Sequence, residues 1–71
     1  MKNYGEILKE IRLERGKTLL DIEKATGISN SNLSRWENGK VIPSILFCEQ
    51  LADYYGISLD ELVGRDFPEM K

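Results

Sequence analysis

Histidine is absent from this 71-residue chain, and cysteine occurs only once, as Cys48. One cysteine cannot form an intramolecular disulfide, and the usual zinc sites need several Cys and His ligands. A catalytic thiol also needs a neighbouring base, for which histidine is the common choice. We therefore expect Cys48 to be structural, in a protein that is not an enzyme and that holds no metal and no cofactor.

Long apolar segments are absent as well. No stretch approaches the roughly 20 residues that a membrane-spanning helix requires, and no signal peptide opens the sequence. There is no glycine-rich phosphate-binding loop either. A chain of this length is expected to form one domain with a small core. These features predict a cytoplasmic globular protein with no membrane contact and no small-molecule substrate.

The sequence also lacks the basic excess that usually marks nucleic-acid-binding domains, because its net charge is −2. The charges are unevenly distributed, however. Residues 1–48 have a net charge of +2, and residues 49–71 have a net charge of −4. The distribution of charge is more informative than the sum. The first two thirds of the chain can present a modest basic face, which is compatible with DNA binding without establishing it.

Helix start and stop signals, in contrast, are dense along the chain. Short polar residues suited to N-capping alternate with Gly or Asn at helix ends. The signals predict five helices that start after Asn3, Thr18, Ser29, Ser44 and Ser58 and end near Gly16, Gly27, Asn38, Gly56 and Gly64. Strand signals are nearly absent. We therefore predict a compact all-α domain over residues 1–64 and a short tail over residues 65–71.

Apolar residues at helical spacing define the expected core. It consists of Leu8, Ile11, Ile22, Ala25, Ile28, Leu33, Trp36, Ile45, Cys48, Leu51, Ala52, Tyr55, Ile57 and Leu62. Trp36 is interpreted as an aromatic residue at the edge of this core and not as a platform for a stacked base. The thiol of Cys48 is expected to behave there as a small apolar group.

The junction between the second and third helices suggests a recognition surface. In Thr26–Ser29, Gly27 can adopt a left-handed bend and Ile28 can fill the core, while the serine caps the next helix. Two helices joined in this way form a helix-turn-helix, whose second helix can lie in the DNA major groove. The polar run Asn30–Ser34 would then hydrogen-bond to base edges. The alternative is a solvated, well-capped helix face.

Three longer segments resemble the phage repressor and Cro-type helix-turn-helix family, also called the Xre family. They are YGEILKEIR, TLLDIEKATGISNSNLSRWENGK and PSILFCEQLADYYGISLDEL, which together extend from Tyr4 to Leu62. The resemblance implies a five-helix, lambda-repressor-like DNA-binding domain with the helix-turn-helix at helices 2 and 3. It further implies a sequence-specific transcriptional regulator, commonly a repressor, that binds a palindromic operator on double-stranded DNA as a homodimer. Such a protein is bacterial or phage-encoded and is nucleoid-associated when bound.

The resemblance also implies roles for individual residues. The family's base-reading positions correspond to Asn30, Ser31 and Arg35, with Asn32 and Ser34 beside them. Its phosphate-binding positions correspond to Thr18, Ser29, Asn38, Lys40 and the amide of Val41. Arg12 and Glu37 fall where the family often has an ion pair that braces the first helix against the third.

Two positions depart from the family pattern. The family usually begins the second helix with Gln, which contacts DNA, whereas this chain has Leu19. The family also favours a small residue, generally Ala, where helices two and three approach, and this chain has Glu23. We expect Glu23 to turn outward or to force the two helices slightly apart. Glu23 and Asp21 also place negative charge near the DNA-facing side, which disfavours tight binding.

Some apolar residues are not needed for the core and predict a possible dimer or partner surface. Leu46, Phe47 and Tyr54 lie on the fourth helix at positions that the family usually fills with polar residues. Local packing against the tail, for example against Phe67, would explain them equally well. The alternative dimer contacts, more typical of the family, are Leu59, Val63 and Phe67.

These features also support an alternative function. An acidic pI, the departures at Leu19 and Glu23, and the apolar face of the fourth helix suit a protein-interaction module that has lost DNA readout. Such a module would keep the fold and bind a regulatory protein partner. DNA affinity that falls steeply with salt would favour the DNA-binding function over this alternative.

Overall fold

The structure, a computed structural model, describes residues 3–63. Regular structure in this range is helical, in the order α1 Tyr4–Glu14, α2 Leu19–Thr26, α3 Asn30–Glu37, α4 Ile45–Tyr55 and α5 Leu59–Val63. The prediction of an all-α, five-helix fold is confirmed for these residues. Within them, no helix is both long enough and apolar enough to cross a membrane. The predicted tail, residues 65–71, lies outside the described range.

The helices begin at the capping residues that the sequence predicts. The side chains of Asn3, Thr18, Ser29 and Ser44 each accept a hydrogen bond from the backbone N–H three residues later. Ser58 and Glu61 cap each other at the start of α5. Each of these bonds satisfies an N–H that has no partner within its helix. Local polar signals therefore fix where the helices start.

The core lies where the five helices meet. α1 packs against α3 and α5, α2 packs against α3 and α4, and α4 packs against α5. Besides Pro43, the buried apolar residues are Leu8, Ile11, Ile22, Ile28, Leu33, Trp36, Cys48, Leu51, Ala52 and Leu62. All ten belong to the predicted core, and Cys48 is fully buried within it.

Four other predicted core residues are less buried than expected. Tyr55 and Ile57 are half-buried and pack against the core. Ala25 is exposed at an open cleft between α2 and α4. Ile45 is 37% exposed, because it begins α4 and the helix enters the core one turn later, at Cys48. Helical periodicity identifies the inward face of α4 but not the turn at which burial starts.

The close approach of α1 to α3 requires glycine at position 5. A Cβ atom on Gly5 would lie 2.6 Å from the carbonyl oxygen of Trp36 and 2.7 Å from that of Glu37. Both distances are far below van der Waals contact, so a larger residue would displace the helices. α1 therefore rests directly on the last turn of α3. The sequence contains no local signal for this requirement, since it arises between residues that are distant in the chain.

Candidate nucleic-acid interface

The turn between α2 and α3 holds the two helices in a fixed arrangement. Gly27 has a φ of +81°, a left-handed conformation that disfavours a side chain, and its N–H donates to the carbonyl of Glu23 at 2.8 Å. Ile28 is 4% exposed and anchors the turn in the core. The Thr26 hydroxyl donates to the carbonyl of Ile22 at 2.7 Å and accepts the N–H of Ile28 at 3.2 Å. The result is a helix-turn-helix.

α3 buries one face and exposes the other. Leu33 and Trp36 are each 4% exposed and attach the helix to the core. Of the predicted base-reading residues, Asn30, Ser31 and Arg35 are exposed, and Asn32 and Ser34 are half-buried. Ser31 and Arg35 are four residues apart and therefore lie on the same side of the helix. The exposed surface of α3 is thus polar and presents hydrogen-bonding groups with one cation.

The two half-buried residues hold their neighbours. Asn32 Oδ1 accepts a hydrogen bond from Arg35 Nη1 at 3.4 Å. Ser34 Oγ accepts one from Asn38 Nδ2 at 3.3 Å. Asn32 therefore supports the guanidinium group of Arg35, and Ser34 restrains the side chain of Asn38. Base contacts by Asn32 and Ser34 themselves stay a prediction.

An ion pair joins α1 to the end of α3, as the resemblance implied. Arg12 Nε donates to Glu37 Oε2 at 2.8 Å and Arg12 Nη2 donates to Glu37 Oε1 at 2.9 Å, while Nη1 donates to the carbonyl of Lys17 at 2.8 Å. The two charged side chains are only 11% and 9% exposed. Hydrogen bonding to Glu37 raises the pKa of Arg12, although burial opposes this shift. Burial, followed by the Glu37 carboxylate, raises the pKa of nearby Tyr55 to about 12.

The predicted phosphate-binding residues lie at two helix starts and in the turn after α3. Thr18, Asn38, Lys40 and Val41 are exposed, and Ser29 is half-buried. Gly39 has a φ of +73°, and the Lys40 N–H donates to the carbonyl of Arg35 at 3.0 Å, which closes α3. The hydroxyl of Tyr4 donates to the carbonyl of Val41 at 3.1 Å. α1 therefore supports the turn that presents Lys40.

The start of α2 has a negative charge of its own. Asp21 Oδ2 accepts the N–H of Thr18 at 2.9 Å, and Thr18 Oγ1 accepts the N–H of Asp21 at 3.1 Å. Hydrogen bonding of the carboxylate to the backbone N–H of Thr18, and then to its side chain, lowers the pKa of Asp21. Leu19, which replaces the family's usual Gln, is half-buried and packs against the core. A phosphate at this end would therefore meet the side chain of Thr18 beside a carboxylate.

Glu23 reaches from α2 to the start of α3 instead of turning into solvent. The side chain is half-buried, and its Oε1 accepts the Asn30 N–H at 3.3 Å and the Asn30 Nδ2 at 2.6 Å. The expectation of an outward turn or a widened gap between α2 and α3 did not include this contact. Asn30, the first residue of α3, is thus bound by a carboxylate from α2. Sequence reasoning missed this role, although the seven-residue spacing across a helix-turn-helix is the signal that could have indicated it.

The predicted partner surface on α4 is divided between exposed and packed residues. Leu46 is 71% exposed and Phe47 is 37% exposed. The ring of Phe47 also lies 5.1 Å from that of Trp36, so it is attached to the core edge. Tyr54 is half-buried against the core and contacts Tyr55 edge-on at 5.2 Å between ring centroids. Tyr54 therefore contributes mainly to packing.

Exposed apolar surface continues from α4 into the preceding turn. We call this surface the α4 entry patch; it consists of Val41, Ile42, Ile45, Leu46 and Phe47, each at least 37% exposed. Of the alternative dimer contacts, Leu59 is half-buried and packs against the core. The side chain of Val63 and the whole of Phe67 lie outside the described residues. Each residue of the α4 entry patch is thus more exposed than Leu59.

Known proteins are similar in sequence to most of this chain. The profile of a family described as helix-turn-helix matches residues 8–62. The HTH-type transcriptional regulator DdrOP3 of Deinococcus deserti is 43% identical over 63 residues, which cover 87% of this chain and 49% of that protein. The HTH-type transcriptional regulator ImmR of Bacillus subtilis is 33% identical over 64 residues, which cover 90% of this chain and 50% of that protein. This chain therefore spans about half the length of these two curated relatives.

The three-dimensional arrangement is shared as well. The crystal structure of the DNA-binding domain of BldD matches with a TM-score of 0.77 and 26% sequence identity, over 87% of this chain and 90% of that one. The sequence match over residues 8–62 includes α2, the turn and α3. It also includes both residues of the Arg12–Glu37 ion pair. The helix-turn-helix and the ion pair that braces it against α1 therefore lie within the matched region, whereas Tyr4 and Gly5 precede it.

Proposed function

Because the chain belongs to the helix-turn-helix family of DNA-binding transcriptional regulators, we propose that it binds double-stranded DNA sequence-specifically and acts as a repressor. The observation that supports this proposal is the exposed polar face of α3, with Asn30, Ser31 and Arg35 opposite a buried apolar face. The family is not enzymatic, so function depends on binding alone. Occupancy of an operator would then exclude RNA polymerase from the same DNA.

In the proposed complex, α3 lies in the major groove and its exposed residues contact base edges. The groove is about 12 Å wide and admits a single helix, with the bases facing its N-terminal residues. Arg35 suits guanine, since O6 and N7 of guanine both accept hydrogen bonds. Asn30 suits adenine, which offers a donor at N6 and an acceptor at N7. Ser31 lies beside Asn30 and is able to donate or accept.

The proposed phosphate contacts surround this helix. The group comprises Thr18, Ser29, Asn38, Lys40 and the backbone N–H of Val41. Lys40 is an exposed cation in a turn that α1 supports through Tyr4. Such contacts would position the helix in the groove without reading the sequence. Their ionic component would make the affinity fall steeply as salt rises.

We further propose that the protein binds a palindromic operator as a homodimer. A two-fold dimer places its two recognition helices about 34 Å apart, in successive major grooves. The exposure of the α4 entry patch, with Leu46 71% exposed, supports this patch as the dimer surface. Leu59 with Val63 and Phe67 is the alternative surface.

Selection from a random duplex library tests the proposal. The purified protein at about 100 mM salt is expected to enrich an inverted repeat with half-sites roughly 10 base pairs apart. Arg35→Ala is expected to relax the preference at one base pair of each half-site. Gln50→Ala, on the exposed side of α4, serves as the matched control and should enrich the wild-type sequence. A folded protein that enriches nothing would contradict the proposal.

A second candidate function is a protein-interaction module that binds a regulatory protein partner. The acidic net charge, the apolar Leu19 where the family usually has Gln, and the exposed α4 entry patch favour it. Titration of fluorescent duplex DNA at about 20 mM and 200 mM salt separates the two candidates. If the protein contacts several phosphates, its affinity for DNA should fall by orders of magnitude between the two salt concentrations. Absence of binding at the lower salt concentration would favour the module.

A further inference from the structure

We propose that Glu23 is a positioning residue that fixes the base preference of Asn30, an inference that rests on the proposed DNA-binding function. The Glu23 carboxylate accepts two hydrogen bonds from Asn30, one from the backbone N–H and a shorter one of 2.6 Å from Nδ2. Asn30 is the first residue of α3 and is exposed, whereas Glu23 is half-buried between α2 and α3. A half-buried residue thereby controls the orientation of an exposed one.

The chemistry of a carboxylate determines the orientation of the Asn30 amide. An ionised carboxylate only accepts hydrogen bonds, so the NH₂ group of Asn30, and not its oxygen, must face Glu23. Oδ1 of Asn30 is therefore directed away from Glu23, together with the second N–H of Nδ2. A hydrogen bond to a charged acceptor is about twice as strong as one between neutral groups. The amide is thus held in one of its two possible orientations.

A fixed amide discriminates between bases better than a free one. An unrestrained asparagine amide can rotate by 180° and exchange its donor and acceptor, since this torsion is broad and nearly two-fold. With Oδ1 presented outward, Asn30 accepts from a base amino group, which adenine and cytosine display in the major groove. Guanine and thymine display carbonyl oxygens there. These oxygens are acceptors, so none of them can form a hydrogen bond with Oδ1. Among these, adenine also has N7 to accept the second N–H, so we expect adenine to be preferred.

Glu23 also has an effect that is independent of base identity. Its negative charge near the DNA-facing side opposes phosphate binding on every sequence. The hydrogen bond and the charge are separable by substitution. Glu23→Gln keeps the length of the side chain and removes the charge. The backbone N–H of Asn30, which can only donate, keeps the amide oxygen of the new Gln directed at Asn30, so the bond from Nδ2 is retained. Glu23→Asp keeps the charge, but its chain is one methylene shorter, which withdraws the carboxylate from Nδ2.

The experiment measures affinity for four duplexes that differ only in the base pair whose preference is lost in Asn30→Ala. In the wild type and in Glu23→Gln, adenine is expected to be preferred over guanine by about tenfold, as for a well-formed amide–adenine pair. In Glu23→Asp and Glu23→Ala, this ratio should fall below about threefold as the amide becomes free to rotate. In a protein that already has Asn30→Ala, an additional substitution of Glu23 should not change the ratio of the affinities for the adenine and guanine duplexes. A purely structural role for Glu23 would not produce this pattern.

The controls distinguish failure of this inference from failure of the proposed function. Glu49→Gln removes an exposed carboxylate from α4 and should leave the base ratio at its wild-type value. A wild-type ratio retained in Glu23→Asp overturns the inference, whereas the DNA-binding function stands. A wild-type protein that prefers no duplex overturns both. If Glu23→Ala does not fold, as judged by circular dichroism, the comparison of Glu23→Gln with Glu23→Asp still decides the outcome.

Discussion

At the scale of single residues, the exposed face of α3 depends on contacts made behind it. Gly5 lets α1 rest on the carbonyl oxygens at the end of α3, and the Arg12–Glu37 ion pair joins the same two helices. Neither feature faces the proposed DNA-binding surface. Both determine the direction in which that surface points. Substitutions here are therefore expected to affect stability first and DNA binding as a consequence.

Replacement of Gly5 by alanine tests the close approach of α1 to α3. Helix propensity alone would make Gly5→Ala stabilising by about 1 kcal/mol. The new methyl group would overlap the carbonyl oxygens of Trp36 and Glu37, so we expect a net loss of about 2 kcal/mol in the free energy of unfolding. Urea denaturation measures the change.

The matched control is Gly16→Ala. Gly16 has a φ of +65°, and a Cβ there meets nothing within 4 Å. Its substitution should cost only the backbone strain of about 1 kcal/mol. A Gly5→Ala variant more stable than the wild type would show that α1 and α3 can move apart without a loss in the free energy of unfolding.

Removal of one partner tests the buried ion pair. Glu37→Ala would leave the Arg12 guanidinium, which is 11% exposed, without its carboxylate. We expect a loss of about 3 kcal/mol in the free energy of unfolding, because an unpaired buried charge is strongly unfavourable. The double variant Arg12→Met with Glu37→Leu should recover much of that loss. Glu14→Ala, at an exposed glutamate of α1, is the control. If Glu37→Ala were as stable as this control, the ion pair would have no role in stability.

At the scale of secondary-structure elements, side-chain caps define the helices and one of them is sensitive to pH. Thr18 and Asp21 exchange hydrogen bonds at the start of α2, and the carboxylate accepts the backbone N–H of Thr18 at 2.9 Å. The carboxylate accepts this bond more strongly than the neutral acid does, and its negative charge suits the positive end of the helix dipole. The stability of α2 is therefore linked to the ionisation of Asp21.

Acid titration tests this linkage. The hydrogen bonds with Thr18 lower the pKa of Asp21 below its ordinary value of 3.8. Since the folded-state pKa is depressed, the contribution to stability is fully present above the unfolded value and is lost as the pH falls through the lower folded value. We expect stability measured by urea denaturation to fall below about pH 4, and to fall less steeply in Asp21→Asn. Identical pH profiles for the two proteins would contradict the assignment.

At the scale of the whole molecule, charge is distributed unevenly along the chain. Residues 1–48 have a net charge of +2, whereas residues 49–71 have a net charge of −4. The α4 entry patch lies at the junction of these regions, immediately after Lys40. A dimer formed through this patch would bring two basic regions together on one DNA. Segregation of this kind reconciles an acidic protein with the proposed DNA binding.

Substitution of Leu46 tests the patch as the dimer surface. Leu46 is 71% exposed, so Leu46→Glu should change the free energy of unfolding by less than about 0.5 kcal/mol. If the patch forms the interface, light scattering should show a dimer for the wild type and a monomer for this variant. Leu13→Glu, at a residue 56% exposed on α1, is the matched control and should remain dimeric. A dimeric Leu46→Glu variant would favour Leu59 and its neighbours instead.

Much of the fold was predictable because its signals are local. Asn3, Thr18, Ser29, Ser44 and Ser58 each form a cap with a residue three positions later, so the sequence alone contains both partners. Burial was less predictable, as Ala25 and Ile45 show, because it depends on where neighbouring helices end. The exposure of Asn30, Ser31 and Arg35 agrees with a role in base reading, which stays a prediction until DNA binding is measured.

The sequence by itself determined the number, order and starts of the helices in residues 3–63, since caps and helical periodicity act within a few residues. The tertiary structure alone decided that Gly5 must lack a side chain, that Asn32 and Ser34 are half-buried, and that Glu23 binds Asn30. Each of these facts depends on the distance between two helices. That distance is set by the sum of all core contacts, and no local pattern contains it.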